Sequence, residues 1–166
     1  MRWSIAVVGT ALCMACAPAP QGGTSSSGGD SSFAAMQERG MEAMGVDQYT
    51  SSHIFEPLPD GGRIVLQRDS VDSAGTEAIR EHLASIAVAF SEGRFDIPGF
   101  VHAQVVPGTA IMAGRRTTIT YTMDTLPRGG EVVIRTGDST AVTAVHEFLA
   151  FQRSAHHAMG HDTSAH

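Results

Sequence analysis

The chain has 166 residues, room for one domain and its appendages. Its 11 basic residues are all arginine and face 17 acidic ones, a formal net charge of −6, which gives nucleic acid or an anionic membrane surface no electrostatic reason to bind. The two cysteines, Cys13 and Cys16, both sit near the N-terminus, so there is no disulfide framework to find.

Arg2 gives a basic start, and Ile5 to Met14 is a nearly continuous apolar run, too short to cross a bilayer as a stable helix. A charged start, a short apolar run and small residues after it describe an export signal. The run ends Leu12-Cys13-Met14-Ala15-Cys16. This resembles a bacterial lipobox, in which a cysteine after a small residue is lipidated and becomes the new N-terminus. Cys13 stands where leucine is usual, and the competing reading is ordinary cleavage after Ala17 or Ala19. The expected arrangement is a signal peptide over residues 1–15 and lipidation at Cys16. Ala17 rather than aspartate follows, which in a Gram-negative cell implies the periplasmic face of the outer membrane. The membrane is then a partner through the N-terminal lipid. Residues 16–48 read as a flexible tether: Pro18 to Ser32 is proline, then glycine and serine with one aspartate. Phe33 to Met44 adds a short helix broken at Gly40, with methionines suited to irregular apolar gaps.

Residues 49–154 form the folded domain, and its first stretch is repeated. Leu58-Pro59-Asp60-Gly61-Gly62-Arg63-Ile64-Val65-Leu66 returns as Leu126-Pro127-Arg128-Gly129-Gly130-Glu131-Val132-Val133-Ile134. Each copy reads as a turn, with glycines that accept positive φ, followed by a half-buried strand of period two. The likeness extends upstream, where His53-Ile54-Phe55 matches Tyr121-Thr122-Met123. Downstream, Ala78 to Leu83 matches Ala144 to Leu149 with two extra residues in the first copy. Strands are expected at about Ser51 to Glu56, Arg63 to Arg68, Arg115 to Asp124 and Glu131 to Thr136. The first helix, from about Thr76 to Phe90 and capped by Ser73 or Thr76, carries Ile79, Leu83, Ile86, Ala87 and Phe90 on one stripe. The second, capped by Asp138 or Ser139, runs to about Arg153 with Val142, Val145, Leu149 and Gln152 along it. Neither half, about 45 residues, buries enough surface alone. The predicted fold is α+β: a two-layer sandwich of duplicated strand–strand–helix units, with a four-stranded, mainly antiparallel sheet and two helices on one face.

The apolar insert between the copies, residues 95–114, has no twin, which makes it the first place to look for chemistry. His102 lies there between Pro98 and Pro107. Phe100, Val101, Val105 and Val106 would form a sizeable apolar patch if exposed, which suggests a homodimer through this insert. His53 should point inward beside Phe55, while His82 and His146 lie at the edges of the helix stripes. His53, His102, His146, Met112 and Met123 together are nitrogen and thioether donors that suit copper or another transition metal. Packing explains these histidines more readily than ligation does, since no pair has a diagnostic spacing. The tail, residues 155–166, carries His156, His157, His161 and His166 and reads as a disordered segment able to chelate a metal loosely. GxSxG, P-loop, GxGxxG and HExxH patterns do not occur. An Asp96–His102 pair is the remaining general-base arrangement.

From about Met44 to Arg153 the chain resembles a family of small bacterial proteins of uncharacterised function. The pieces are Met44-Gly45-Val46-Asp47-Gln48, His53-Ile54-Phe55, Ile97-Pro98, Val101-His102-Ala103-Gln104, Pro107-Gly108, Arg128-Gly129-Gly130 and His146-Glu147-Phe148-Leu149-Ala150-Phe151-Gln152. Similar sequences tend to have two adjacent histidines where this one has His53-Ile54. Some carry the name aspartate carbamoyltransferase, which does not transfer. That enzyme's catalytic subunit is two domains of about twice this length, and its STRTR-type stretch is absent. The expectation is a membrane-tethered, extracytoplasmic, non-enzymatic binding domain with transition-metal affinity. The alternatives are a small hydrolase or transferase using His102 as base, or a protein–protein module.

Overall fold

The computed structural model describes residues 27–157, and side chains from residue 31 onward. The signal segment, Cys16, His161 and His166 lie outside the described residues. Five helices and four strands follow in the order α1 (Ser27–Met44), β1 (Ser51–Leu58), β2 (Gly61–Arg68), α2 (Ser73–Ser91), α3 (Asp96–His102), α4 (Thr109–Gly114), β3 (Ile119–Leu126), β4 (Gly129–Thr136) and α5 (Ser139–Ala155). The sheet is antiparallel throughout, in the order β1-β2-β4-β3. This is the expected two-layer α+β sandwich.

Strand register shows how the duplication is built. Ser51 pairs with Arg68 in the first hairpin, and Ile119 pairs with Thr136 in the second. These are the same positions shifted by 68 residues, the spacing from Gly61 to Gly129. Between the halves, Ile64 pairs with Val132, its own counterpart. A local twofold therefore passes through the middle of the sheet. The bonds that tie the hairpins together come in matching pairs: Arg68 N–H donates to Arg128 O at 2.8 Å, and Thr136 N–H to Asp60 O at 2.9 Å.

The paired glycines lie inside β2 and β4 rather than in the turns before them. Gly61 alone of the four has positive φ, at 147°. A Cβ on Gly61 would run into the Ile134 carbonyl, and one on Gly129 into the Leu66 carbonyl, again as twins. The glycines thus let the two central strands close on each other.

Each helix crosses to the other half. α2 lies over β3 and β4, and α5 over β1 and β2. Both N-caps are aspartates: Asp72 accepts from Gly75 N, and Asp138 from Thr140 N and Ala141 N. Because Asp72 does the capping, α2 begins three residues earlier than its apolar stripe suggested. Ile79, Leu83, Ile86, Ala87 and Phe90 are buried as expected. On α5 the buried stripe is Ala141, Ala144, Val145, Phe148, Leu149 and Gln152, with Val142 at its edge. The core is one cluster between these helices and Phe55, Ile64, Leu66, Val132 and Ile134 on a single sheet face.

The residues outside the repeat cover one side of this frame. α1 is continuous through Gly40, where a side chain would fall on the Gln48 amide. It packs on α3 and α2 and buries Met36 and Met44. The insert folds into α3 and α4. Val101 and Val106 turn inward, at 8% and 2% exposure, leaving Phe100 and Val105 at the surface. That removes half of the apolar patch on which the dimer expectation rested. No helix among the described residues is long and apolar enough to cross a membrane.

Candidate functional site

A cavity of about 80 Å³ opens between the sheet, α1, α2, α3 and the end of α5. By volume it holds several waters or a small ligand. Four imidazoles line it: His53 from β1, His82 from α2, His102 from α3 and His156 at the C-cap of α5. Its other polar side chains are the amides of Gln48 and Gln152. Among the described residues, no hydroxyl, thiol or carboxylate lines it, and the rest of the lining is apolar.

Three of the rings meet at His156. It stacks on His53, with centroids 5.4 Å apart and planes at 15°, and meets His102 edge to face at 5.1 Å. Nε2 of His102 is 2.9 Å from Oε1 of Gln152. The amide oxygen only accepts, so Nε2 carries the proton and Nδ1 keeps its lone pair. Nδ1 of His156 is buried without a hydrogen-bond partner.

All four rings stay neutral at ordinary pH. Each keeps a little surface along the cavity wall but is crowded by apolar atoms, and burial is the main cause of its weakened basicity. It pulls His53 down from 6.5 to about 4. His156 falls to about 3, through burial and then the neighbouring imidazoles. His102 is lowered by burial and by the Arg39 guanidinium, against the opposing effect of its Gln152 bond. His82 is lowered by burial.

The twofold frame shows what is unusual about these positions. His53 is the counterpart of Tyr121, His82 of Phe148, and His156 of Phe90. In the other half the Phe90 and Tyr121 rings meet edge to face at 5.8 Å. That contact is the twin of His156 on His53. Tyr121, Phe148 and Phe90 carry rings without nitrogen at the positions where the other copy has imidazoles, and Phe90 and Phe148 line the same cavity.

Of the residues expected to bind metal, the fold brings His53 and His102 to this cavity and sends the other three elsewhere. His146 donates from Nε2 to Leu58 O at 2.9 Å. This is the twin of Arg80 donating to Leu126 O at 2.7 Å, so both are clamps from helix to turn. At 1.5 Å of rise per residue, His146 lies about 15 Å along α5 from His156. Met112 is fully buried in α4, and Met123 packs on the core from β3 opposite Val132. Of the tail histidines, His156 belongs to the cavity and His157 stacks on Phe33 with centroids 4.4 Å apart. Asp96 does not reach His102. It sits at the opposite end of α3, exposed, 4.0 Å from Arg94. His156 escaped sequence reasoning because it was counted with the tail. Carrying the helix alignment seven residues past Leu83 and Leu149 would have set it against Phe90.

Among the described residues, no three histidine, cysteine, aspartate or glutamate side chains already stand around one point as metal ligands do. The fold and the cavity define the class of the molecule: a duplicated α+β domain with an imidazole-lined chamber. Comparison with family models, with curated proteins and with solved structures found no match.

Proposed function

We propose that the chain is an exported lipoprotein, held to the membrane through Cys16, whose domain binds a transition metal in the imidazole-lined cavity and catalyses no reaction. The observation that carries this is the donor set. Four imidazoles line one cavity, and His102 has its Nε2 tied to a protein acceptor. Such a bond fixes the tautomer and offers the other nitrogen as a lone pair, the arrangement that orients histidine ligands to a metal. The phenyl and phenol rings of the twin half show that the frame packs without nitrogen in these slots.

A hydrolase or transferase with His102 as base finds less support. The cavity lining supplies no nucleophile, and the partner of His102 is an amide. The test uses the chain truncated after His157, which removes His161 and His166 but keeps all of α5. Titrated with copper and zinc at neutral pH, it should retain one equivalent of metal, and the His53→Ala/His102→Ala double variant should lose it. Failure to retain metal, or equal retention by the double variant, would refute the proposal.

A further inference from the structure

We infer that the ion this cavity takes is monovalent copper, Cu(I), held by His53, His102 and His156. This rests on the metal-binding reading above and adds the oxidation state and the ligand set.

Among the described residues, every polar group lining the cavity is neutral once the imidazoles are unprotonated, and none is a carboxylate. Two charges act on the ligands from outside the lining: the Arg39 guanidinium, bonded through Nε to Val101 O at 2.8 Å, on His102, and the Asp69 carboxylate on His53. Moving an ion from water into such surroundings costs free energy that grows with the square of its charge, about fourfold more for a dication than for a monocation. Zn(II) and Cu(II) sites usually offset that cost with thiolates or carboxylates. Among the described residues none lines this cavity.

Donor softness points the same way. The cavity offers imidazoles and the thioether of Met44, and thioether is a donor that selects Cu(I). A second methionine, Met36, lies two turns earlier on the same face of α1. It lines a groove that also contains Arg39, Gln104 and His102. His102 therefore lines both the groove and the cavity. Cu(I) is satisfied by two or three ligands, so three imidazoles complete its shell without water.

Binding requires the stacked pair to turn. Rings lying face to face cannot aim their nitrogens at one ion. The Nδ1 atom of His156 has no partner and gives up no hydrogen bond by turning.

The test uses the full chain with His161→Ala and His166→Ala, so that the tail does not compete. Cu(I) affinity is measured without oxygen against a chromophoric Cu(I) chelator, and Zn(II) affinity against a zinc indicator. One equivalent of Cu(I) should bind, about 100-fold or more tighter than Zn(II). His53→Tyr and His156→Phe copy the twin half and so keep the fold, and each should lower Cu(I) affinity about 100-fold. Gln152→Leu, which frees the His102 ring, should lower it about 10-fold to 100-fold. X-ray absorption should show a shell of imidazole nitrogen. Zn(II) binding as tightly as Cu(I), or Cu(I) binding unchanged in His53→Tyr and His156→Phe, would overturn this inference while leaving a metal site. Retention of no metal would overturn the metal-binding reading itself.

Discussion

His156→Phe converts the end of α5 into a copy of its twin, Phe90, and tests both the symmetry argument and the energetics of the cavity. The wild-type ring carries a buried Nδ1 without a partner, and an unsatisfied buried polar atom costs about 1–3 kcal/mol. A phenyl ring has no such atom and fits a slot that holds one in the other half. The variant should therefore be more stable than wild type by about 1–3 kcal/mol at neutral pH. Acid widens the gap. In the folded chain His156 takes a proton only near pH 3, against 6.5 in the unfolded chain. Between those values the unfolded state binds the extra proton, so wild-type stability falls as pH drops through the window and levels off below it. At 1.36 kcal/mol per pH unit, falling from pH 6.5 to about pH 4.5 removes about 3 kcal/mol for this one group. His53 has its own window, from 6.5 down to about 4, so the variant still weakens in acid, but less. The assay is urea unfolding followed by circular dichroism at about pH 7.5 and about pH 4.5. If the variant is less stable than wild type at the higher pH and loses as much on acidification, the cavity is not a polar substitution in a hydrocarbon slot, and the reasoning fails.

Four other outcomes follow from the frame and the tether. Gly129→Ala would push a methyl group into the Leu66 carbonyl of the neighbouring strand and should cost about 3 kcal/mol or more in chemical denaturation, at the upper end for overpacking. Arg80→Ala removes bonds to the Leu126 and Gly129 carbonyls at 2.7 and 3.0 Å and should cost about 1.5–3 kcal/mol. His146→Ala removes the single bond to Leu58 O and should cost about 1 kcal/mol, with metal affinity unchanged; a fall in affinity would place His146 at the site after all. Cys16→Ser should abolish palmitate labelling and release the chain from the membrane fraction, and labelling that persists would refute lipidation at this residue.

The frame was legible in the sequence because duplication wrote it twice. Period two in Ile64 and Leu66, repeated in Val132 and Ile134, set which sheet face would be buried. Helical spacing from Ile79 to Phe90 set the face of α2. Helix starts were less legible, since Asp72 precedes the apolar pattern and is recognised as a cap only by the bond it accepts from Gly75 N. The role of the glycine pairs was also hidden. A turn and a close strand approach both call for glycine, and only the register of β2 on β4 distinguishes them. The crossing of α2 and α5 to opposite halves left no local trace either, because it depends on contacts between residues far apart in sequence.

The site follows a different logic from the one the sequence suggested. The segment without a twin was expected to hold the chemistry, and it does supply His102. Yet His53, His82 and His156 come from the repeated frame itself, at positions where the other copy has Tyr121, Phe148 and Phe90. The insert and α1 act as walls: Ile97, Pro98 and Val101 close one side, and Gly40, Ala43 and Met44 another. A duplicated fold offers an internal comparison that a single copy cannot. Where both copies keep the same residue, as with Gly61 and Gly129, the frame needs it. Where one copy exchanges a phenyl or phenol ring for an imidazole at three positions along one cavity, packing does not account for the change, because the twin packs without it. That difference, rather than the lack of a counterpart, marks the candidate site.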